Sequence, residues 1–234
     1  MQTGSKPKIA LCLSGQARFL EEGYREVIYP YVLENNDIDI FIHTWSVDDN
    51  QEGKSYINGG GFAMGKPVTK GLMLDVLETY KPTKCLIQKP HSFEVGKYSD
   101  RAMPGIRSEN LYSMFYSIYK SNQLKREYEK ENNFKYDFVI RSRFDVKLNS
   151  KIDFTVPNSK MYLPNGCFDP IRGYVDCFGY SNSHYMDIYA STFNQVDHIM
   201  QTTNTKLCGE YILRKQLDSY KIQIEQLFWH SLYR

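Results

Sequence analysis

The fold is decided by an apolar stretch near the start of the chain, which reads KIALCLSG at residues 8–15. A short apolar run that ends in serine and glycine is typical of a buried strand that enters a tight turn. Three similar runs predict further strands at residues 38–44, 84–88 and 136–141. Because helical patterns separate the four runs, the sequence predicts an α/β fold with a mainly parallel sheet and helices on both faces.

Apolar residues at helical spacing predict the helices around these strands. The first begins at Phe19 and is broken or kinked by Pro30, because proline disrupts a helix interior. Four others are expected at residues 69–80, 108–131, 181–200 and 209–219, with Thr69, Ser108 and Ser181 as N-caps. Further strands are expected at residues 160–163 and 175–180. No repeat or clear linker interrupts residues 8–234, which indicates a single domain after a disordered segment or vector-derived remnant at residues 1–7.

The composition of the chain excludes several classes of protein. No apolar run reaches the ~18–20 residues that span a bilayer, and the N-terminus has no apolar core of a signal peptide. The five cysteines are scattered and lack metal-ligand spacing, which predicts reduced thiols in a cytoplasmic protein. Aromatic residues make up 15% of the chain, which argues against disorder and is compatible with flat or hydroxyl-rich ligands.

Positive charge is concentrated in the middle of the chain. The net charge is only +2, but residues 81–151 hold 15 Lys and Arg against 8 Asp and Glu. A basic centre of this kind attracts phosphate groups. The alternative is a solvated helix face, to which Lys120, Lys125, Arg126 and Lys130 would belong.

A glycine-rich stretch, GGFAMGK at residues 60–66, fits the pattern of a phosphate-binding loop. Pro67 stands where that pattern requires Ser or Thr as a ligand of Mg²⁺, and proline has no N–H to offer a phosphate. The stretch is therefore interpreted as a glycine-rich surface loop.

The candidate binding residues follow the first two predicted strands. They are Ser14, Gly15, Gln16 and Arg18 after the first strand, and Thr44 and Trp45 at the end of the second. Ligands of parallel α/β sheets bind outside the carboxyl ends of the strands, so these residues are predicted to line a site. Gly15 would let the backbone approach a ligand, and Arg18 could pair with a diphosphate. The alternative for Trp45 is that its ring closes the core.

A charged cluster, RSRFD at residues 141–145, ends the fourth predicted strand. Arg141 and Arg143 could neutralise phosphate, and Asp145 could hold a divalent cation through its oxygens. The alternative is an internal Arg–Asp ion pair that fixes the turn.

Three carboxylates are candidates for a general base. Asp176 lies among apolar residues in the sequence, and an apolar setting raises a carboxyl pKa into the range that suits a base. Asp169 and Glu210 are the other candidates, and Glu210 stands at the expected start of a helix, where a carboxylate is also an ordinary capping group.

Together, five segments resemble a family of GT-A-like glycosyltransferases that occurs in bacterial surface-polysaccharide loci and in large DNA viruses. The segments are residues 10–18, 41–45, 113–120, 136–145 and 175–179. The resemblance implies a GT-A-like (Rossmann-like) fold, with a nucleotide-binding half at residues 8–150 and an acceptor half at residues 151–234. It also implies transfer of a sugar from a nucleotide donor, such as a UDP- or GDP-sugar, to a hydroxyl of a glycan or glycoconjugate.

The same resemblance implies roles for the candidate residues. Ser14, Gly15, Gln16 and Arg18 would hold the nucleotide, with Thr44 and Trp45 beside it. Arg141, Arg143 and Asp145 would organise the diphosphate, and Asp176 or else Glu210 would deprotonate the acceptor if the reaction inverts configuration. In this family an Asp-x-Asp motif usually binds Mn²⁺ or Mg²⁺. Here Arg143 replaces the first Asp, so two alternatives stay open: Asp145 binds the metal without it, or Arg143 takes over part of its charge.

Two other functions stay open at this point. A non-catalytic sugar-nucleotide-binding protein would keep residues 14–18 and tolerate loss of Asp176. A nucleic-acid-binding module would use the basic middle and its tyrosines, although no recognised motif of that class is present and no nucleic-acid partner is expected. The expected location is the cytoplasm (the host cytoplasm for a viral protein), with peripheral membrane contact left open.

Overall fold

The computed structural model describes residues 6–17, 19–46, 70–90, 92–94, 96–104, 107–165 and 171–232, apart from the side chains of residues 70–73 and 227–232. Its strands are β1 (Ile9–Gly15), β2 (Ile38–Trp45), β3 (Lys84–Gln88), β4 (Phe138–Ser142), β5 (Val146–Leu148), β6 (Met161–Asn165), β7 (Phe178–Ser181) and β8 (Ile224–Leu232). The loop GGFAMGK, Arg18, the predicted N-cap Thr69 and the candidate base Asp169 lie outside the described residues.

The strands form one mixed sheet in the order β3-β2-β1-β4-β7-β6-β8-β5. The first four strands of this order are mutually parallel. Strand β7 runs antiparallel to β4 and to β6, whereas β6 and β8 are parallel. Strand β5 pairs with the end of β8 in antiparallel orientation. The predicted α/β architecture with a mostly parallel sheet is therefore confirmed, within a single domain.

Helices cover both faces of the sheet. They are α1 (Leu20–Gly23), which continues as a π-helix (Tyr24–Leu33), α2 (Lys70–Tyr80), a 3₁₀-helix (Gly96–Arg101), α3 (Ser108–Glu131), α4 (Ser183–Ala190), α5 (Thr192–Thr202) and α6 (Gly209–Ser219). On one face Leu11 and Leu13 of β1 pack against α1, the π-helix and α2. On the other face Cys12 of β1 packs in the core that α3 to α6 cover. The period-2 alternation of side chains along β1 thus supplies both cores.

Of the two effects predicted for Pro30, a break or a kink in the first helix, the break is wrong. The helix runs through Pro30 to Leu33 as a π-helix, and its buried residues Val27, Ile28 and Val32 pack on the sheet. Proline removes one backbone donor from the helix, but the apolar contacts on both sides of it hold the segment in place. Tertiary packing therefore overrides the local signal.

The predicted helix at residues 181–200 also differs from the structure. Ser181 ends β7 and donates its hydroxyl to the carbonyl oxygen of Lys160, whereas Asn182 caps α4 by accepting from the N–H of Tyr185. The helix is divided at Ser191 into α4 and α5. The span of α3 matches its prediction, but Ser108 is its first residue and not its N-cap.

A buried ion network joins α3 to α4. Lys125 is fully buried, and its Nζ donates to Ser183 Oγ (2.6 Å), Asp187 Oδ1 (2.9 Å) and Glu129 Oε2 (3.3 Å). A buried ammonium group needs such partners, because an unpaired charge away from water is costly. The interpretation of Lys125 as part of a solvated basic face is therefore wrong, and the exposed positive charge of this helix is smaller than the sequence suggests.

We expect Lys125→Met to lower the free energy of unfolding by about 3 kcal/mol, because Glu129 and Asp187 lose the cation that they share. Urea unfolding followed by circular dichroism measures this loss. The matched control is Lys130→Met on the exposed side of the same helix, where we expect a change within about 0.5 kcal/mol. Equal losses in the two variants would contradict a structural role for the network.

Candidate active site

The carboxyl ends of four parallel strands meet at one edge of the sheet. Gly15 of β1 lies opposite Thr44 of β2, and Leu13 lies opposite Ser142 of β4. Because β7 is antiparallel to β4, the chain that enters β7 comes to the same edge, where the Arg143 N–H donates to the Cys177 carbonyl oxygen (3.1 Å). We call the residues of this edge the strand-end cluster: Ser14, Gly15, Thr44, Arg141, Arg143, Asp145 and Asp176.

Three buried side chains of the strand-end cluster carry polar atoms without a hydrogen-bond partner. The atoms are Ser14 Oγ, Thr44 Oγ1, and Nε and Nη1 of Arg141, all counted within the described part of the chain. Cys12 and Val139 face the α3 side of the sheet. Ser14 and Arg141 stand two residues further along the same strands, so their side chains face the same side. Thr44 faces the other side of the sheet. Buried polar groups are normally satisfied, so each exception calls for an explanation such as a ligand.

Arg141 is the most unusual member of the cluster. Its side chain is 2% exposed, next to Cys177 and Tyr189 on which its charge acts. A buried guanidinium is stable when an anion or several acceptors satisfy its N–H groups, and two of its nitrogens have no acceptor. The edge therefore has the chemistry of an anion site.

Arg143 and Asp145 form a bidentate ion pair. Arg143 Nε donates to Oδ1 of Asp145 (2.8 Å), and Nη2 donates to Oδ2 (2.6 Å). Although burial alone would lower it, the charge and hydrogen bonds of Asp145 hold the pKa of Arg143 above its ordinary value. This pair is the internal Arg–Asp contact that the sequence left as the alternative.

The donor set at Asp145 does not fit a divalent metal ion. Both carboxylate oxygens accept hydrogen bonds from Arg143, and the described residues contain no group of three His, Cys, Asp or Glu that could hold a metal. Hard cations such as Mg²⁺ require several oxygen ligands. The metal role of Asp145 stays a prediction, and no step of the reaction below is derived from a metal.

Asp176 and Glu210 come together at the start of α6. Asp176 Oδ2 lies so close to Gly209 that a Cβ there would collide with it, and Glu210 occupies the first turn of the helix. The carbonyl oxygen of Asp176 accepts from the Tyr189 hydroxyl (2.9 Å). Asp176 is half-buried and its charge reaches Arg143, so its setting is more polar than the apolar one expected from the sequence. The positive end of the helix favours an ionised carboxylate at this position.

The remaining predicted binding residues have mixed outcomes. Trp45 is buried, with its ring stacked on Tyr116 (centroids 5.6 Å apart) and edge-on to His43. This arrangement favours the alternative in which Trp45 closes the core, because both contacts occupy its ring. Gln16 is partly exposed at the strand edge.

Sequence reasoning missed the residue that holds the Gly15 turn. The N–H of Gly15 donates to Ser117 Oγ of α3 (2.7 Å), so it is not available to a ligand. Gly15 has φ +106°, and no described residue other than its two neighbours in the chain has an atom within 4 Å of the position that a Cβ would occupy. The open face of Gly15, rather than its N–H, is what a ligand could approach. The only indication of this contact in the sequence is that a serine occupies a core-facing position of α3.

The fold and these residues define an α/β protein with a mostly parallel sheet and a charged polar cluster at its strand ends. The chain belongs to the family described as "Domain of unknown function (DUF7796)", whose model matches residues 89–229. A comparison with curated proteins found no match. The matched region contains Arg141, Arg143, Asp145, Asp176 and Glu210. None of the helices in the described part of the chain combines the length and the hydropathy that a membrane span requires.

Proposed function

We propose that the protein is a glycosyltransferase of GT-A-like fold that moves a sugar from a nucleotide-sugar donor to a hydroxyl of a glycan or glycoconjugate. The observation that carries the proposal is Arg141, a buried guanidinium with two unpartnered nitrogens at the carboxyl end of β4. A diphosphate supplies the negative charge and the acceptor oxygens that such a group lacks. Parallel α/β sheets bind nucleotides at this edge.

The donor would lie across the ends of β1 and β4. Ser14 offers an unpartnered hydroxyl on the same side of the sheet as Arg141, and Gly15 offers an open face beside it. Arg143 donates hydrogen bonds from Nε and Nη2 to Asp145, and these bonds fix the orientation of the guanidinium group. About 30% of the Arg143 side chain is exposed. These features support a site in which two arginines and a serine hydroxyl contact the diphosphate.

In the proposed reaction the bond between the anomeric carbon and the diphosphate oxygen breaks. The bonding electrons leave with the diphosphate, and the positive charges of Arg141 and Arg143 stabilise the charge that develops on it. The acceptor oxygen forms the new bond to the anomeric carbon, and its proton passes to the carboxylate of Asp176 if the reaction inverts configuration. Glu210, in the adjacent first turn of α6, is the alternative base.

One observation favours a non-catalytic sugar-nucleotide-binding protein as the second candidate. Asp176 touches Gly209 at the start of α6, where a carboxylate also stabilises a helix without any chemistry. The two candidates differ in one measurable property. In an enzyme Asp176 is required for turnover. In a binding protein Asp176 only stabilises the start of α6.

The compartment of the reaction is proposed to be the cytoplasm. Cys12, Cys85, Cys177 and Cys208 are free thiols. Free cysteines are typical of proteins in reducing compartments, where disulfides are rare.

The proposal predicts that one class of nucleotide sugar stabilises the protein. At 100-fold excess over its Kd, the donor should raise Tm by about 5–10 °C, because only the folded state binds it. Thermal shift with UDP-, GDP- and dTDP-sugars, each with and without Mn²⁺, measures this change, and product analysis then measures turnover. Uridine is the control, since it lacks the diphosphate that Arg141 requires. Absence of a shift and of turnover across the whole panel would contradict the proposal.

A further inference from the structure

A chain of buried hydrogen bonds connects the Gly15 turn to α3 and β2. Ser117 Oγ accepts from the Gly15 N–H (2.7 Å) and lies 2.7 Å from Nδ1 of His43. Both Ser117 and His43 have no exposed surface. The hydroxyl therefore joins a loop at the strand edge to a histidine in the centre of the sheet.

The chain continues from the other nitrogen of His43. Its Nε2 lies 3.0 Å from Oε1 of Gln88, which also accepts from the Tyr116 hydroxyl (3.1 Å). Oε1 of Gln88 is an acceptor, which favours the tautomer of His43 with its proton on Nε2. Nδ1 and the carbonyl oxygen of His43 (3.3 Å) are then both acceptors within reach of the Ser117 hydroxyl, while Ser117 Oγ accepts from the Gly15 N–H. Ser117 therefore bonds to His43 and to Gly15 at the same time.

A second serine on the same helix shows that this arrangement is specific to one position. Ser121 is as deeply buried as Ser117, but its hydroxyl donates to the carbonyl oxygen of Ile118 within α3. Ser117 instead bonds outside its helix, to a turn with φ +106° that strongly favours glycine. The unpartnered hydroxyl of Ser14 lies one residue before that turn.

We infer that Ser117, oriented by His43, is a positioning residue for the nucleotide site. It holds the turn so that Ser14 and the open face of Gly15 meet the donor. This role rests on the function proposed above. Ser117 acts through the Gly15 backbone and does not touch the donor.

The test compares Ser117→Ala with the matched control Ser121→Ala, since each removes one buried hydroxyl from α3. We expect Ser117→Ala to raise KM for the nucleotide sugar about tenfold with kcat little changed, because one positioning hydrogen bond is lost. We expect Ser121→Ala to change neither. Ser117→Cys keeps the shape of the side chain but accepts hydrogen bonds weakly, so its KM should fall between those of the parent and the alanine variant.

Hydrogen exchange at the Gly15 amide provides a readout that does not depend on turnover. Exchange should accelerate about tenfold in Ser117→Ala and stay unchanged in Ser121→Ala. The inference is overturned if the two variants share the same KM and the same exchange rate at Gly15. If no nucleotide sugar binds the parent protein while exchange still accelerates only in Ser117→Ala, the proposed function is wrong and Ser117 keeps only its role in holding the turn.

Discussion

The variant Arg141→Met is expected to lose nucleotide-sugar turnover by about 10³-fold, while its free energy of unfolding stays the same or rises. Methionine fills a similar volume without a charge. The loss of turnover follows because the diphosphate no longer meets a cation at the end of β4. The gain in stability follows because a buried guanidinium with two unpartnered nitrogens is costly in the absence of its anion.

The opposite signs of the two effects make Arg141→Met informative. An arginine that served only the fold would show the reverse, a loss of stability of several kcal/mol on removal of one partner from a buried pair. Steady-state kinetics and urea unfolding on the same preparation measure both quantities. Arg141→Lys retains the charge but not the planar fork, so it should recover only part of the turnover.

Arg25→Met is the control for Arg141. Arg25 is exposed on the π-helix, and its ion pair with Glu26 lies at the surface. Such pairs contribute little, so both turnover and stability should stay close to those of the parent. Retention of nucleotide binding by Arg141→Met would contradict the assignment of the anion site.

The parts of the fold that were predicted correctly depend on local pattern. The run before Ser14 is apolar at every position, which is typical of a strand buried on both faces, and it forms β1. The helix α3 follows from Leu111, Phe115 and Ile118 at steps of four and three, and it continues to Glu131 as predicted. The π-helix could not be predicted, because its course through Pro30 depends on contacts with the sheet rather than on the residues themselves.

The candidate site was predicted in position but not in its contacts. The ends of β1 and β4 were identified because polar residues follow apolar strands there. Arg143 and Asp145 are two residues apart, a separation that allows their ion pair but does not require it. The sequence therefore could not decide whether Arg143 contacts a ligand or pairs with Asp145. Ser117 was missed because its partner, Gly15, lies 102 residues away in the sequence.

The variant Asp176→Asn separates the two candidate functions. If Asp176 is the general base, turnover should fall by about 10³-fold with donor Kd nearly unchanged, because asparagine keeps the shape of the side chain but cannot take a proton. Isothermal titration and product analysis measure the two quantities. Because the residue lies at the start of α6, the loss of its charge should also lower the free energy of unfolding by about 0.3–1 kcal/mol.

Asp218→Asn is the matched control, since Asp218 lies at the other end of α6 and bonds to Tyr174 and Arg214 away from the strand-end cluster. Its turnover should match that of the parent.

Glu210→Gln tests the alternative base. A large loss of turnover in Glu210→Gln, with Asp176→Asn still active, would transfer the role of general base to Glu210. If neither variant loses turnover, proton transfer to either of the two carboxylates at the start of α6 is wrong. If the parent binds the donor but turns over none, the non-catalytic protein is the correct description. Variants of Asp176 and Glu210, the two carboxylates at the start of α6, thus distinguish an enzyme from a protein that only binds the nucleotide sugar.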